Sequence, residues 1–370
     1  MNIGFDAKRA VQNNTGLGNY SRYVIEILSE YYPENRYVLF APRRRHNAGL
    51  RTILSRENIS FVFPAGIYKL FASLWRTLGI RKDVRGKGLD LYHGLSNELP
   101  LGIAGVKTVV TVHDLIFIRH PRYYNAADRI IYRLKLRHAC RTADVIIATS
   151  ECTKRDIVSF FHIPPQKIKV VYQGCHPMFG ESVTEERRKD VACKYSLPQR
   201  FLLNVGTIEE RKNLMIIVKA MTNIPEDVHL VAIGKSTRYR QQVERYAEKS
   251  GTAPRLHILD NVTSDDLPAI YRMAEVFIYP SFFEGFGIPV VEALTSGLPV
   301  IAATGSCLEE AGGPGSIYVD PYDEAGLSEQ LISLLDDKER MKRMAADGRE
   351  YTKRFSGERI ASDLMSVYSI

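Results

Sequence analysis

The sequence predicts an α/β protein made of two doubly wound domains, each with a parallel sheet. Three observations support this fold class. Short apolar, β-branched runs alternate with amphipathic helical patterns, which is typical of parallel sheets covered by helices on both faces. The alternation stops at a polar stretch around residues 180–188 and then restarts. The length of 370 residues is large for one hydrophobic core and suits two domains.

The first series of elements supplies the N-terminal domain. Each predicted strand is a short run of mainly apolar residues, and helices between them, such as 20–31 and 129–141, carry apolar residues at helical spacing. The predicted strands are residues 2–5, 37–40, 59–63, 89–93, 108–112, 145–149 and 170–172.

The second series repeats the pattern and supplies the C-terminal domain. We therefore expect domains at 1–175 and 176–354 that face each other across a cleft, with ligands beyond the C-terminal ends of the strands. The predicted strands of this series are residues 201–205, 230–233, 256–259, 276–279, 300–303 and 317–319.

Composition narrows the class of protein. Hydrophobic residues make up 45% and charged residues 25% of the chain, as in soluble globular proteins. No apolar run reaches the ~18 residues of a membrane-spanning helix, and the N-terminus does not resemble a secretion signal. The five cysteines are scattered and include no CxxC pair. We therefore expect a cytoplasmic protein without a disulfide framework or a zinc site.

The charge is unevenly distributed. Residues 1–175 contain 27 Lys and Arg against 13 Asp and Glu, whereas residues 176–370 contain 23 against 29. The basic half is either an ordinary solvated surface or a surface for polyanions, namely nucleic acid or an anionic membrane. The basic runs at 43–45 and 81–87, with aromatic residues nearby, favour the membrane over nucleic acid.

The segment 66–78 is the candidate for membrane contact. Its apolar residues recur at helical spacing, which predicts an amphipathic helix that lies either on a membrane surface or against the core. These apolar residues are Tyr68, Leu70, Phe71, Leu74, Trp75 and Leu78.

Two glutamates flank a glycine-rich stretch, EGFGIPVVE, after the predicted strand 276–279. Pro289 suits the first position of a helix and Gly297 the position after its end, which predicts a helix over 289–296. Glu284 then lies in the strand-to-helix loop and Glu292 near the start of the helix.

The loop itself has the composition of a ligand-binding turn. Gly285 and Gly287 allow a backbone to approach a ligand and to point N–H groups toward phosphates. A carboxylate such as Glu284 or Glu292 accepts hydrogen bonds from sugar hydroxyls. A tight turn with a helix-dipole glutamate is the alternative.

The second domain begins with a similar arrangement. The strand 201–205 ends at Gly206, and Arg211 and Lys212 follow at the start of the next predicted helix. Cations there oppose the helix dipole, so a bound diphosphate is one explanation and a solvated charge run is the other.

The first domain contributes two further candidates. Gly16, Leu17 and Gly18 precede a predicted helix but lack the third glycine of a dinucleotide fingerprint. His113 follows the strand 108–112 directly, and a structural and a catalytic role are about equally supported for it.

These motifs, in this order, resemble the retaining nucleotide-sugar glycosyltransferases of family 4. EGFGIPVVE resembles the family's E-x7-E element, TGLGNYSRY its N-terminal glycine loop, and VVTVHD its histidine-bearing strand. Further elements in the family's order are ATSECTKRDI, VVYQG, VGTIEERKN, ALTSGLPVIAA and PGSIYVDPYDEAGLSEQL. The resemblance implies the GT-B fold, with two Rossmann-like domains, an acceptor-binding first domain and a donor-binding second domain. It also implies that residues 355–370 form a helix that crosses back to the first domain.

The resemblance implies roles for the donor-site residues. Arg211 and Lys212, after Gly206, would hold the donor diphosphate. Glu284 would accept hydroxyls of the transferred sugar beside Gly285, Phe286 and Gly287. Glu292 would accept the ribose hydroxyls.

In the first domain, the resemblance implies that His113 contacts the donor sugar near the reacting carbon. Gly16, Leu17 and Gly18 would form a loop that approaches the phosphates or the acceptor. One residue departs from the pattern: many members have an arginine where this chain has Thr207.

The implied reaction is the transfer of a hexosyl unit with retention of configuration, with mannosyl from GDP-mannose as the best choice. The acceptor would be a glycan or polyprenyl-linked glycan of surface polysaccharide synthesis. No DxD element is placed to bind a metal, and no other cofactor is implied, so we expect metal-independent activity.

The alternatives to a glycosyltransferase are a glycosidase, a dehydrogenase, and a nucleotide-sugar sensor or membrane-docking module without turnover. We expect Glu284→Ala to leave the fold intact and to remove transfer.

Overall fold

The chain forms two compact units. The computed structural model describes residues 1–13, 15–44 and 48–370. The first unit comprises Met1–Gln173 together with Gly357–Ile370, and the second comprises Gly174–Ser356.

The sheet of the first unit has the order β3-β2-β1-β4-β5-β6-β7, and all its strand pairs are parallel. This order is Rossmann-like, with the switch in direction at β1 and β4. The strands are β1 (Asn2–Asp6), β2 (Arg36–Phe40), β3 (Ile59–Val62), β4 (Leu91–Gly94), β5 (Lys107–Val112), β6 (Val145–Ala148) and β7 (Ile168–Val170).

Helices flank this sheet, and the last one comes from the C-terminus of the chain. That helix packs on α2 and buries Ile360, Leu364 and Val367 in the same core as Val24 and Leu28. The helices are α1 (Lys8–Gln12), α2 (Gly16–Tyr31), α3 (Arg51–Leu54), α4 (Ala72–Leu74), α5 (Ile80–Gly86), α6 (Ile116–Arg119), α7 (Ala126–Thr142), α8 (Glu151–Phe161) and α17 (Gly357–Ser369).

The sheet of the second unit has the order β10-β9-β8-β11-β12-β13, again with all pairs parallel. Counted from its own first strand, this order matches that of the first six strands of the first unit. The strands are β8 (Phe201–Val205), β9 (His229–Ile233), β10 (Leu256–Leu259), β11 (Val276–Tyr279), β12 (Val300–Ala303) and β13 (Ile317–Val319).

The helices of the second unit cover both faces of its sheet, and their apolar residues form its core. They are α9 (Glu185–Tyr195), α10 (Leu214–Ala220), α11 (Tyr239–Ser250), α12 (Leu267–Met273), α13 (Ile288–Thr295), α14 (Leu308–Gly312), α15 (Glu324–Asp336) and α16 (Lys338–Thr352).

The predicted fold class is confirmed. Every predicted strand is present with ends displaced by at most two residues, and the largest displacements are at β4 and β7. The predicted C-terminal helix is present as α17. Within the described residues, no helix is long and apolar enough to cross a membrane.

The segment 66–78 differs from the single amphipathic helix that we predicted. It consists of a 3-10 turn (Gly66–Lys69), the short helix α4 and a π-helical turn (Trp75–Gly79). The Trp75 side chain is buried and donates from Nε1 to Asp83 at 2.6 Å. Leu70, Phe71, Leu74 and Leu78 remain exposed. Of the basic run at 43–45, Arg45 lies outside the described residues.

Candidate active site

The candidate site lies at the C-terminal edge of the second unit's sheet. There β8 ends at Val205, next to its neighbour β11, and Gly206 follows directly. A 3-10 turn (Glu210–Lys212) then leads into α10. The loop after β11 is tied to this turn because the Phe282 N–H donates to the Arg211 carbonyl at 2.9 Å. The two loops therefore meet where ligands bind in open parallel sheets.

Arg211, Lys212 and Glu284 form one hydrogen-bonded cluster in these loops. Nη1 of Arg211 lies 2.9 Å from Oε2 of Glu284, and Nζ of Lys212 donates to Oε1 at 2.5 Å. Nζ of Lys212 also donates to the Tyr279 hydroxyl at 2.5 Å, and Nη2 of Arg211 donates to Glu209 at 2.6 Å. Glu284 is only 9% exposed. A buried carboxylate is thus held between two cations.

The electrostatics of the cluster keep Glu284 ionised. Burial alone would raise the pKa of Glu284, but Arg211 and Lys212 lower this pKa to about 2. Burial lowers the pKa of Lys212, and Glu284 opposes that shift. Burial also works against the charge of Arg211, yet the Glu284 and Glu209 carboxylates raise its pKa above the ordinary value. Glu284 is therefore an acceptor of hydrogen bonds at neutral pH and not a proton donor.

Glu292 has a different partner. Its Oε2 accepts a hydrogen bond from the Tyr271 hydroxyl at 2.9 Å. Burial raises the pKa of Glu292 to about 7, although the hydrogen bond from Tyr271 lowers it in part. Because α13 begins at Ile288, Glu292 is its fifth residue and lies in the second turn, slightly further from the helix start than predicted.

A buried cysteine contacts the backbone of the glycine-rich loop at 284–287. The buried thiol of Cys307 lies 3.0 Å from the Glu284 carbonyl and 3.1 Å from the Phe286 carbonyl. Gly287 has φ +124°, and a Cβ there would lie 2.8 Å from Cδ2 of Leu308. Glycine is therefore needed at 287 for backbone conformation and packing on α14, a reason that we did not predict. Gly285 lies in the same loop, between Glu284 and Phe286.

His113 follows β5 in the first unit and is buried there. Its Nε2 lies 2.9 Å from the Leu95 carbonyl, which only accepts, so Nε2 carries the proton. Nδ1 then accepts from the Gln173 amide at 3.2 Å, and the Tyr20 ring packs edge-on at 4.6 Å. Burial lowers the pKa of His113 to about 4. The ring is therefore neutral at pH 7, with both nitrogens engaged by the protein.

Two family models together match most of the chain. The model described as "Glycosyltransferase Family 4" matches residues 21–178, and the model described as "Glycosyl transferases group 1" matches residues 189–351. The chain belongs to glycosyltransferase family 4. The resemblance that we inferred from the ordered motifs is confirmed.

Curated relatives and solved structures that this glycosyltransferase resembles agree with this assignment. The O-antigen chain mannosyltransferase B of Escherichia coli is 28% identical over 76% of this chain and 74% of its own length. The serotype-specific mannosyltransferase WbdA of E. coli is 27% identical over 68% of this chain, which covers only 32% of that protein. The solved structure of Anabaena Alr3699/HepE in complex with UDP-glucose has a TM-score of 0.80 and 16% identity, and the match covers both chains completely. The GT-B fold is thereby confirmed.

The glycine loop of this glycosyltransferase is part of a helix. Gly16, Leu17 and Gly18 form the first turn of α2, whereas we predicted that they precede it. A Cβ at Gly16 would meet no atom within 4 Å, but a Cβ at Gly18 would lie 1.8 Å from the Asn13 carbonyl oxygen. Gly18 therefore lets α2 approach the backbone that follows α1, while Gly16 borders open space.

This contrast predicts different results for two alanine substitutions in the glycosyltransferase. We expect Gly18→Ala to lower the free energy of unfolding by ~2–3 kcal/mol, because the Asn13 backbone cannot move as a flexible side chain would. Gly16→Ala should leave stability unchanged or slightly higher, since alanine favours helix. Thermal unfolding of both variants measures the difference. Equal melting temperatures would contradict the packing role of Gly18.

Sequence reasoning missed three residues that shape the loops of the candidate site. Tyr279 ends β11 and contacts Lys212, Cys307 supports the Glu284 loop, and Gly234 directly follows β9. A Cβ at Gly234 would lie 1.9 Å from the Gly206 carbonyl oxygen, so the two strand ends touch there. The strand-end positions of Tyr279 and Gly234 were a usable signal. Nothing local in the sequence links Cys307 to a loop more than 20 positions away.

Metal binding finds no support among the side chains. Across residues 1–13, 15–44 and 48–370, no group of three or more His, Cys, Asp or Glu residues could hold a metal ion. The positive charge in the loops after β8 and β11 comes from the side chains of Arg211 and Lys212, which contact Glu284.

Proposed function

We propose that this chain transfers a hexosyl unit, mannosyl from GDP-mannose in the first instance, to an acceptor hydroxyl with retention of configuration. The acceptor is a glycan or a polyprenyl-linked glycan in the synthesis of a surface polysaccharide. The observation that carries the proposal is the convergence of Arg211 and Lys212 on Glu284 at the edge of a parallel sheet. The name of the relative from E. coli, an O-antigen chain mannosyltransferase, supports the choice of sugar and of acceptor class.

The chemistry of the cluster fits a leaving diphosphate. As the glycosidic bond breaks, negative charge builds on the diphosphate, and Arg211 and Lys212 stabilise it from fixed positions. Preorganised donors of this kind contribute ~2–4 kcal/mol each to transition-state stabilisation. Glu284, ionised at neutral pH, positions the sugar by accepting hydrogen bonds from its hydroxyls, together with the N–H groups of the loop at Gly285, Phe286 and Gly287.

The remaining predicted residues complete the two binding regions. Residues 176–354 bind the donor, and Glu292 accepts the ribose hydroxyls. Residues 1–175, with the helix at 355–370, bind the acceptor. His113 remains our predicted contact for the donor sugar, although its ring nitrogens are bonded to Leu95 and Gln173. Burial lowers its pKa to about 4, so such a contact is made by a neutral ring. The exposed Gly16 lies at the start of α2, where N–H groups favour phosphate.

A screen of donors tests the proposal. GDP-mannose should raise the melting temperature and be slowly hydrolysed, with GDP-fucose, UDP-glucose and UDP-galactose tested beside it. A preference for UDP-glucose, the ligand in the HepE structure, would overturn the mannosyl assignment but keep the reaction class. Stabilisation without hydrolysis or transfer to any acceptor would indicate a sensor. The anomeric coupling of the product in NMR spectra tests retention.

Metal independence is a separate expectation. Arg211 and Lys212 supply the positive charge that a divalent metal provides in other transferases. Turnover measured in excess EDTA should equal turnover in buffer with Mg²⁺. Loss of activity in EDTA that is restored by Mg²⁺ or Mn²⁺ would contradict the assignment of this role to the two cations.

The basic first unit also docks to an anionic membrane on its cytoplasmic face. Leu70 and Phe71 are 79% and 54% exposed, and on α7 both Ile130 and Leu134 are 61% exposed. Five Lys or Arg against one Asp accompany these side chains on α7. Apolar side chains flanked by cations match an anionic lipid surface.

The two exposed segments are connected through one glutamate. Oε2 of Glu98 accepts from Arg76, beside α4, at 2.8 Å, and Oε1 accepts from Lys135 on α7 at 3.1 Å.

Co-sedimentation with phosphatidylglycerol vesicles tests this membrane surface and should occur at low salt. It should weaken in 0.5 M salt (roughly 4 Å Debye length) and with Ile130→Ser and Leu134→Ser. Equal sedimentation with neutral phosphatidylcholine vesicles would contradict a charge-dependent surface.

A further inference from the structure

A cationic cavity lies at the C-terminal edge of the first unit's sheet. It has a volume of about 480 Å³, within the ~300–1,000 Å³ range of ligand sites. Lys8, which follows β1, and Arg43 and Arg44, which follow β2, line this cavity. Its other polar lining residues are Gln12, Ser73 of α4 and Arg76. In open parallel sheets, this edge is where ligands bind.

Three of the cations form no ion pair in the part of the chain that the structure describes. Arg76 is neutralised, because Nη2 lies 2.7 Å from Asp6 and 2.8 Å from Glu98. Lys8, Arg43 and Arg44 have no carboxylate within 4 Å among the residues that the structure describes. Burial is the main cause that lowers the pKa of Lys8, and the Arg76 charge lowers it further, while Glu98 and Asp6 oppose this shift. A cavity with three cations that form no ion pair is complementary to an anion with two or more negative charges.

The segment that contributes Ala72 and Ser73 to the cavity also carries exposed apolar side chains. Ala72 and Ser73 of α4 line the cavity. Their neighbours Leu70, Phe71 and Leu74 are 79%, 54% and 48% exposed. A polar cavity and an apolar surface therefore lie within five residues of each other. A single ligand that has an anionic head and an apolar chain matches both.

We propose that this cavity binds the phosphate or diphosphate group of a lipid-linked acceptor, with the acceptor's apolar chain lying along Leu70, Phe71 and Leu74. The inference rests on the proposed function, because it identifies the acceptor of that reaction. Lys8, Arg43 and Arg44 contact the phosphate oxygens, and α4 directs the chain toward the membrane surface. The charged head thereby fixes where the acceptor hydroxyl can lie.

Direct binding tests the site without measuring transfer. Farnesyl diphosphate and inorganic diphosphate are titrated by calorimetry into the full chain, with saturating GDP and UDP present to occupy Arg211 and Lys212. We expect farnesyl diphosphate to bind at least tenfold more tightly than inorganic diphosphate. Equal affinities would mean that the ligand is a soluble phosphate compound and would overturn the lipid assignment. Absence of binding for both probes would overturn the site.

Matched charge variants locate the binding. The triple variant Lys8→Gln, Arg43→Gln, Arg44→Gln should bind farnesyl diphosphate at least tenfold more weakly. The control triple Arg81→Gln, Lys82→Gln, Lys87→Gln removes the same charge from the same unit, outside the cavity, and should change the affinity less than twofold. Equal losses in the two triples would show non-specific attraction and overturn the proposal. If the cavity triple fails to fold, the double variant Arg43→Gln, Arg44→Gln replaces it, because both of these side chains are exposed.

A further pair of measurements separates this inference from the proposed function. Phe71→Ser should weaken the binding of farnesyl diphosphate but leave the affinity for inorganic diphosphate unchanged. Loss of binding for both probes would contradict the proposed position of the acceptor's apolar chain. The cavity triple should retain wild-type hydrolysis and stabilisation by the nucleotide sugar. If wild-type protein shows neither effect, the proposed donor reaction fails while the binding result still stands. If the wild type shows hydrolysis and stabilisation but the cavity triple loses both, the cavity belongs to the donor site and the acceptor assignment fails.

Discussion

Replacement of Glu284 by glutamine is expected to lower kcat/KM by about 10²–10³-fold, equivalent to ~3–4 kcal/mol of transition-state stabilisation. The amide keeps the size of the side chain and one acceptor oxygen. It loses the charge that strengthens hydrogen bonds from the sugar hydroxyls and that aligns Arg211 and Lys212. Steady-state kinetics with the preferred donor measure the loss.

The structure also changes the expected stability of Glu284 variants. We predicted from sequence that Glu284→Ala leaves the fold intact. Glu284 is instead buried between two cations, and removal of one partner of such a group costs ~3–5 kcal/mol. Alanine removes the charge and also leaves a cavity, so it would confound activity with unfolding. Glutamine removes the charge but keeps the volume and one acceptor oxygen, which makes it the more informative substitution. Thermal unfolding is measured beside the kinetics.

Glu209→Gln is the matched control for this prediction. Glu209 lies 2.6 Å from the same arginine but is 35% exposed, so its charge is screened by solvent. We expect a change in kcat/KM of less than about threefold. If Glu284→Gln keeps wild-type kcat/KM, or if Glu209→Gln loses as much, the role of Glu284 in positioning the sugar is wrong.

The second large effect concerns pH and Glu292. Burial raises the pKa of Glu292 to about 7, so the carboxyl is mostly protonated at pH 6 in the free protein. Ribose hydroxyls donate best to the ionised form. We therefore expect donor affinity to rise about tenfold from pH 6 to pH 8 and to level off above pH 8, which corresponds to ~1.4 kcal/mol. Calorimetric titration at several pH values measures this change.

Other titratable groups around Glu292 do not account for such a profile. Burial raises the pKa of Tyr271 well above its ordinary value, and burial raises the pKa of Cys175 to about 12. In the first unit, burial lowers the pKa of His113 to about 4. A nucleotide sugar carries a diphosphate diester, which does not titrate between pH 6 and 8. The expected profile therefore belongs to Glu292.

Two substitutions check this assignment. Glu292→Gln should remove the pH dependence of donor binding. Tyr271→Phe should move the profile to higher pH, because the Tyr271 hydrogen bond lowers the pKa of Glu292. A profile that persists in Glu292→Gln would exclude this carboxyl as its source.

The same group affects stability with a defined sign. Folding raises the pKa of Glu292, so protonation favours the folded state. The stabilising contribution is complete below the ordinary pKa of a glutamic acid and is lost as the pH rises through about 7. The free energy of unfolding should therefore decline over this interval more steeply in the wild type than in Glu292→Gln.

Much of the fold and part of the site followed from local patterns. Parallel strands buried on both faces are short apolar runs, so β8, β11 and β12 were predicted with the bounds observed. Because ligands bind at strand ends, Arg211, Lys212 and Glu284 were identified from their positions after β8 and β11. The ordered motifs then identified the family.

The sequence alone therefore determined two Rossmann-like units, the family and the three charged residues at one sheet edge. Only the tertiary structure decided that Arg211 pairs with Glu284, 73 positions away, and that Glu292 turns to Tyr271. The structure also decided that both ring nitrogens of His113 are engaged by protein groups. The physical reason is that secondary structure depends on neighbours in the sequence. Burial, pKa values and ion pairs depend on distances that exist only after the sheets and helices have packed.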